Sequence, residues 1–492
     1  MKKFILAAAV ASAVLSPLAA HAARDSVTIA VRLEPPGLDP RTGAAAAISL
    51  TTLYNIYEGL TRIGEDSSIN PLLADSWTVS DDGKTYTFKL KKGVKFQDGS
   101  DFDSSDVKYT FEANAAPDSQ VKRKERFTNM ESIETPDAST VVIKLKEPNP
   151  QLLAQLGEAT AVIVDPKSDK TNATDPVGTG PYKFDSWTKG DSLKLSLADT
   201  YRDKKDIAIK KVTFRFIGDG TARFAGLLAG DVDAADVPNE MLSSDALKGD
   251  FNILVGNTNG ETILSTNNAR EPLSKLKVRQ AIAHAINRKE IIDGAMYGYG
   301  TPIGSHFSPQ DPDYVDLTGT YPYDPAKSKE LLKEAGYPNG LELTLKLPPV
   351  EDYARKGGQI VASQLEKAGF KIKIINVDWA QWLDQVYKKK NYDLSIVSHV
   401  EPMDIGIYAR KGYYFNYDNP KFNEIMARAD SAVSMEDRSK LLKEAQKILA
   451  DDAVNGYLFE LPRIIVVRKG LTGVWKDLPL FATDVARMSW SN

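Results

Sequence analysis

The chain contains no cysteine. That absence excludes disulfides, catalytic thiols, iron–sulfur clusters, thiolate zinc sites and lipid attachment at an N-terminal cysteine. Histidine is nearly as scarce, with His284, His306 and His399 the only three beyond the N-terminal segment, so any imidazole chemistry must use them. Outside residues 1–22 no apolar run reaches the roughly 18 residues that a membrane-spanning helix needs, and mean hydropathy is −0.31. Basic residues are not in surplus either. With 62 Lys and Arg against 66 Asp and Glu, the formal charge of −4 offers nothing to nucleic acid or an anionic membrane.

Enzyme signatures are missing or broken. There is no G-x-S-x-G elbow and no H-E-x-x-H pair. Gly83-Lys84-Thr85 resembles the end of a phosphate-binding loop, but Thr78 stands where its first glycine is required, and the segment runs into a strand. Gly178-Thr179-Gly180 and Gly298-Tyr299-Gly300 lack the third glycine of a dinucleotide fingerprint and read as turns.

What is present is 492 residues with 26% charged and 42% hydrophobic positions, the composition of soluble globular protein and long enough for two or three domains. Residues 1–22 open with Met1-Lys2-Lys3, continue through an apolar stretch from Phe4 to Leu18 and close on Ala20-His21-Ala22. This is the build of a secretory signal peptide, with cleavage expected after Ala22. A short membrane anchor is the competing reading, against which Pro17 and the brevity of the stretch argue. The mature protein is therefore expected free in a Gram-negative periplasm.

Strand and helix signals alternate along the chain. Period-two apolar spacing marks strands at Tyr86, Phe88, Leu90; Val141, Ile143, Leu145; Leu193, Leu195, Leu197; Val212, Phe214, Phe216; Leu341 to Leu347; and Ile372, Ile374. A helix is expected after Asp324-Pro325, ending at Gly336. Another is expected between Ser274, as its cap, and Lys289, and a third over 436–451, followed by a strand at Ile464 to Val467. The fold class is α/β.

Two groups of residues could carry binding. In His399-Val400-Glu401-Pro402-Met403-Asp404, three ionisable groups crowd a loop after the strand Leu394 to Val397, where α/β domains place ligands. These are nitrogen and oxygen donors, but the cluster has no fourth partner for a metal, and a solvated acidic turn explains it equally well. Aromatic residues gather at Trp379 and Trp382 and from Tyr408 through Tyr414 to Tyr417. Such rings line ligand clefts or simply fill cores.

Specific motifs then appear. Leu73-Ala74, Trp77, Asp82-Gly83-Lys84-Thr85-Tyr86-Thr87-Phe88, Lys91-Lys92-Gly93-Val94-Lys95-Phe96, Asp98-Gly99 and Asp106-Val107 form the first block. Val177 to Tyr182, Leu227 to Asp233, Val278 to Ile282 and Tyr323 to Tyr337 supply four more in order. Together these strongly resemble family 5 solute-binding proteins, the extracytoplasmic receptors of peptide-type ATP-driven (ABC) importers. The resemblance implies a two-lobed fold, periplasmic-binding-protein type II-like and cluster C-like, with an extra subdomain. Lobe one would comprise 23–260 plus 466–492, with the accessory subdomain at about 45–170, and lobe two 261–465. It further implies a monomer without catalysis or cofactor, which binds a small solute or short peptide and delivers it to membrane permease subunits.

Dipeptide-binding relatives hold the ligand carboxylate with an arginine before a lobe-two helix and the amino group with a loop aspartate. Arg355 occupies the first position by resemblance, and His399, Glu401 and Asp404 occupy the loop, departing from its usual asparagine, glycine and aspartate. The departure keeps non-peptide solutes open, including opines, oligosaccharides and nickel chelates, for which His399 would be an axial contact. Trp379, Trp382 and Tyr414 complete the expected ligand-binding set. A secreted hydrolase using Glu401 and Asp404 is the reading from another class, weakened because both share one loop whereas such carboxylates flank the scissile bond.

Overall fold

A computed structural model describes residues 24–43, 45–401 and 404–491, with only the backbone at Glu351. The signal segment 1–22 and its cleavage point lie outside the described residues, as do Pro402 and Met403. Among the described residues no helix is long and apolar enough to cross a membrane.

One eleven-stranded sheet runs through the molecule. At its centre two long strands, Phe251–Thr266 and Gly456–Arg468, pair antiparallel along most of their length. On one side the sheet continues through Leu394–His399, Leu341–Leu347 and Phe370–Asn376. On the other it continues through Ala234–Ala235, Ser26–Val31, Lys211–Phe216, Ser192–Leu197 and Tyr182–Thr188. The register of the central pair is interrupted between Gly256 and Gly260, so the ladder is weakest midway between the two flanks.

Each flank buries its own core. Val27, Ile29, Leu193, Leu195, Val212 and Phe214 pack on one side, joined by Trp475 and Met488 from the chain's end. Leu343, Leu345, Val361, Leu365 and Ile396 pack on the other. The period-two spacing explains this, because alternate side chains of a strand reach one face. At the sheet edge the rule relaxes: Ile374 is exposed, since Phe370–Asn376 has a neighbour on one side only.

A separate four-stranded sheet, Ala74–Val79, Thr85–Leu90, Thr140–Leu145 and Met130–Asp137, packs with the helix Ser104–Ala115 around Phe88, Phe96, Phe111 and Val141. Each such fully buried phenylalanine contributes about 2 to 3 kcal/mol of transfer free energy. Gly83 sits at φ +67° in the turn between its first two strands, which accounts for the glycine of the Gly83-Lys84-Thr85 segment without any phosphate.

Val177 to Tyr182 is a joint. A Cβ on Gly178 would lie 2.1 Å from the Ile56 carbonyl oxygen, so only glycine permits this backbone approach. Gln97 clamps it: its side-chain amide donates to the carbonyls of Ile56, Gly180 and Tyr182, while its carbonyl accepts from the Gly178 N–H.

Helix ends follow their caps. Asp324 accepts from the N–H groups of Ala326 and Lys327 and starts Pro325–Glu334, and Ser434 starts Met435–Asp451. The expected helix from Ser274 to Lys289 is instead two, Leu276–Ala285 and Arg288–Ala295. Ser274 is not its cap, because its hydroxyl is spent on the Glu271 carboxylate, and Asn287 caps the second helix through the Glu290 N–H.

Candidate functional site

Two adjoining features occupy the loops beyond the strand Leu394–His399. The first is a cavity lined by Ala46, Leu53, Lys122, Arg123, Glu158 and Glu401, with Leu480 and Phe481 adding apolar surface. Lys122 and Arg123 come from the segment before the short helix Glu125–Thr128, whereas Glu401 arrives from the opposite flank of the large sheet. Lys122 Nζ lies 2.9 Å from Glu401 Oε1, and Arg123 Nη2 lies 3.2 Å from Oε2. Arg123 is also 3.9 Å from Glu158, which Arg126 holds at 2.8 Å. The cavity thus mixes two cations, two carboxylates and an apolar floor.

The second feature is buried. Asp404 binds His306 Nε2 at 2.6 Å through Oδ1 and His399 Nδ1 at 3.3 Å through Oδ2. The far nitrogens are taken as well, His306 Nδ1 by the Tyr408 hydroxyl at 3.2 Å and His399 Nε2 by that of Tyr414 at 3.0 Å. Burial alone would push the Asp404 carboxyl up, but the two imidazoles outweigh it and hold the group well below the usual carboxylate range. Burial lowers His306 in turn, against the pull of Asp404.

Beside this cluster, Glu261 stands directly opposite both His399 and Glu460 in the strand registers, so the three side chains share one face across three strands. Burial and then the Asp404 charge push Glu261 well above its ordinary value. Burial pushes Glu460 up to about 7, although its Oε1 accepts from the Thr258 N–H. Each keeps one buried oxygen, Oε2, without a hydrogen-bond partner among the described residues.

The residues expected from sequence are therefore divided. Arg355 lies at the ends of two strands, where among the described residues its guanidinium makes long contacts, 3.4 Å to the Pro348 carbonyl and 3.5 Å to that of Val377. It does not line the cavity. Glu401 does, but it is already neutralised by Lys122 and Arg123 rather than waiting for an amine. Asp404 is not a free anchor, since both oxygens are engaged and its side chain is buried. Tyr414 and Trp382 are core residues. The Tyr414 hydroxyl pairs with Ser265 and His399, the Trp382 N–H donates to Ser395 at 2.9 Å, and neither ring presents surface to a ligand. Trp379 is 42% exposed and packs edge-on against Trp382.

Sequence reasoning missed Lys122, Arg123, Glu158, His306, Glu261 and Glu460. Of these, Glu460 carried a legible signal, a glutamate inside the largely apolar strand Gly456–Arg468. Of the two carboxylates that the alternative hydrolase reading would use, Asp404 is engaged by imidazoles and Glu401 by cations.

The family model described as bacterial extracellular solute-binding proteins, family 5 middle, matches residues 68–423. The glutathione-binding protein GsiB of Salmonella paratyphi A is 30% identical over 494 residues, covering 96% of this chain and 96% of its own. The periplasmic binding protein AgaA of A. tumefaciens R10, solved with agropinic acid, is 27% identical with a TM-score of 0.77, covering 95% of this chain and 99% of its own. The substrate-binding protein CtaP of Listeria monocytogenes shares the fold at a TM-score of 0.86 and 23% identity, covering 96% of this chain and 100% of its own.

Proposed function

The chain belongs to family 5 of the bacterial extracellular solute-binding proteins, and from that premise we propose that it carries a short peptide or peptide-like solute such as glutathione through the periplasm to the permease of an ABC importer. The observation that carries this reading is the mixed-charge cavity. A zwitterion needs a cation for each carboxylate and a carboxylate for its amine, because a desolvated charge left unpaired costs several kcal/mol. Arg123 and Lys122 supply the first kind and Glu158 the second, and Leu53 and Phe481 offer apolar contact to a side chain. Similarity to a glutathione-binding protein over nearly the whole chain points the same way.

In this reading residues 23–260 with 466–492 form one lobe, about 45–170 its accessory subdomain, and 261–465 the other. The strands Phe251–Thr266 and Gly456–Arg468 are the hinge, which bends at the interruption between Gly256 and Gly260. Solute shifts the lobes toward closure only by making more contacts there than in the open form. Arg355, loosely tied at the strand ends, is free to swing toward a ligand carboxylate and grip it through both guanidinium nitrogens.

The test is calorimetry on protein unfolded, dialysed and refolded to strip carried solute. Glutathione or a tripeptide should bind, and Arg123→Gln and Arg355→Ala should each weaken binding at least tenfold, since truncating one partner of a buried charge pair commonly costs about 2 to 5 kcal/mol. Heat from an opine or an oligosaccharide, with none from any peptide, would replace the peptide reading. Unchanged affinity in both variants would move the site elsewhere.

A further inference from the structure

His306, His399 and Asp404 come from three separate places: the loop beyond Thr301–Pro302, the end of Leu394–His399 and the first residue of the turn Asp404–Ala409. Their donor atoms nonetheless converge, all lying within 4.8 Å of one another. Each imidazole aims one nitrogen inward at the carboxylate and has its other nitrogen fixed by a tyrosine hydroxyl. Those hydroxyls are themselves anchored, Tyr408 by the Asn455 side-chain amide at 2.9 Å and Tyr414 by Ser265 at 3.0 Å. Metal-ligating imidazoles are held in this way, with the outer partner setting ring orientation and tautomer.

Glu261 is the independent observation. It is 5% exposed, it faces His399 directly across the strand pair, and its Oε2 is buried with no hydrogen-bond partner among the described residues. We propose that His306, His399, Asp404 and Glu261 form a binding site for one divalent first-row transition cation of the zinc or nickel class. Two imidazole nitrogens and the Asp404 carboxylate already converge, and Glu261 on the facing strand would supply the fourth donor; in a chain without thiolates such a nitrogen-rich set suits these ions, whereas calcium and magnesium prefer all-oxygen sites. One divalent ion would compensate both carboxylates in their ionised form, Glu261 giving up its proton on binding.

A bound ion ties the 301–306 loop, the 404–409 turn and the two neighbouring interior strands Leu394–His399 and Phe251–Thr266 into a single unit. It is distinct from the solute cavity, whose lining includes none of the four residues. Failure of the peptide reading would leave this site untouched.

The experiment is titration of chelator-treated full-length mature protein with Zn2+ alone, by calorimetry, repeated with Co2+ to read ligand geometry from its visible absorption. The expected result is one equivalent bound, with intense four-coordinate Co2+ bands. His306→Gln should weaken binding at least a hundredfold, and Tyr408→Phe, which removes no ligand but frees the His306 ring, about tenfold. Tyr408→Phe keeps the test decisive if His306→Gln fails to fold. Wild type that takes up no Zn2+ would overturn the proposal. So would His306→Gln binding as tightly as wild type, or Tyr408→Phe with unchanged affinity.

Discussion

Glu401 bridges the two flanks of the molecule, and neutralising it tests how much that contact contributes. Its carboxylate binds Lys122 at 2.9 Å and Arg123 at 3.2 Å, so Glu401→Gln removes two ion pairs at once. All three side chains are substantially solvated, Glu401 by 47%, which rules out the large energies of a buried pair. Solvent screening limits each exposed pair to roughly 0.2 to 1 kcal/mol, and the two together to about 1 kcal/mol. Through the Boltzmann factor, that shifts the ratio of touching to separated lobes about fivefold.

The assay suits this chain, because it has no cysteine of its own. Cysteines introduced at the exposed positions Lys92 and Lys411 accept a fluorophore pair that reports lobe separation. Ligand-free Glu401→Gln should show more of the separated form, and wild type should approach it as salt rises toward about 1 M, where the Debye length shrinks to the roughly 3 Å of these solvent-exposed pairs. Solute affinity should fall by no more than about fivefold, the contribution of the contact to closure. A loss beyond tenfold would mean that Glu401 touches the solute itself. An identical separation in variant and wild type, at low and high salt, would refute the contact as a lobe bridge.

Two further outcomes concern stability. Burial pushes Asp106, in the first turn of Ser104–Ala115, up to about 6, so its folded form prefers the proton. Stability from this group is full below the unfolded value of about 4 and is lost as pH rises through about 6. Asp106→Asn still accepts the Asp103 N–H yet should flatten denaturant stability across that window by about 1 to 2 kcal/mol after screening; curves that stay parallel would contradict the assignment. Gly178→Ala sets a methyl 2.1 Å from the Ile56 carbonyl oxygen, and the backbone shift it forces should cost about 3 kcal/mol or more. An unchanged melting temperature would show that this joint gives way freely.

Much of the fold was legible because it rests on local rules. Alternating apolar residues at Leu193, Leu195, Leu197 and at Leu341 to Leu347 could only be strands with one buried face, and Asp324-Pro325 could hardly be anything but a helix start. Ser274 misled because a hydroxyl before a helix has two uses, and here the carboxylate of Glu271 three residues away took it. The break at Asn287 depended on a side-chain bond to the Glu290 N–H that competes with continued helix.

The site was legible only as a neighbourhood. Sequence alone determined that this chain lacks thiol chemistry, carries the ordered motifs of a solute-binding family and concentrates ionisable groups at 399–404, since those properties follow from composition and from residues close in the chain. It could not assign the partners. Asp404 reads as a free carboxylate until His306, 98 residues away, is found on it, and Glu401 reads as an amine anchor until Lys122 and Arg123, 279 and 278 residues away, are found across the gap. Tertiary structure decided these roles because a charge is defined by what surrounds it. Burial and an imidazole on each oxygen turn one carboxylate into part of a locked cluster, while solvent and two cations turn its neighbour into a surface link between distant parts of the chain.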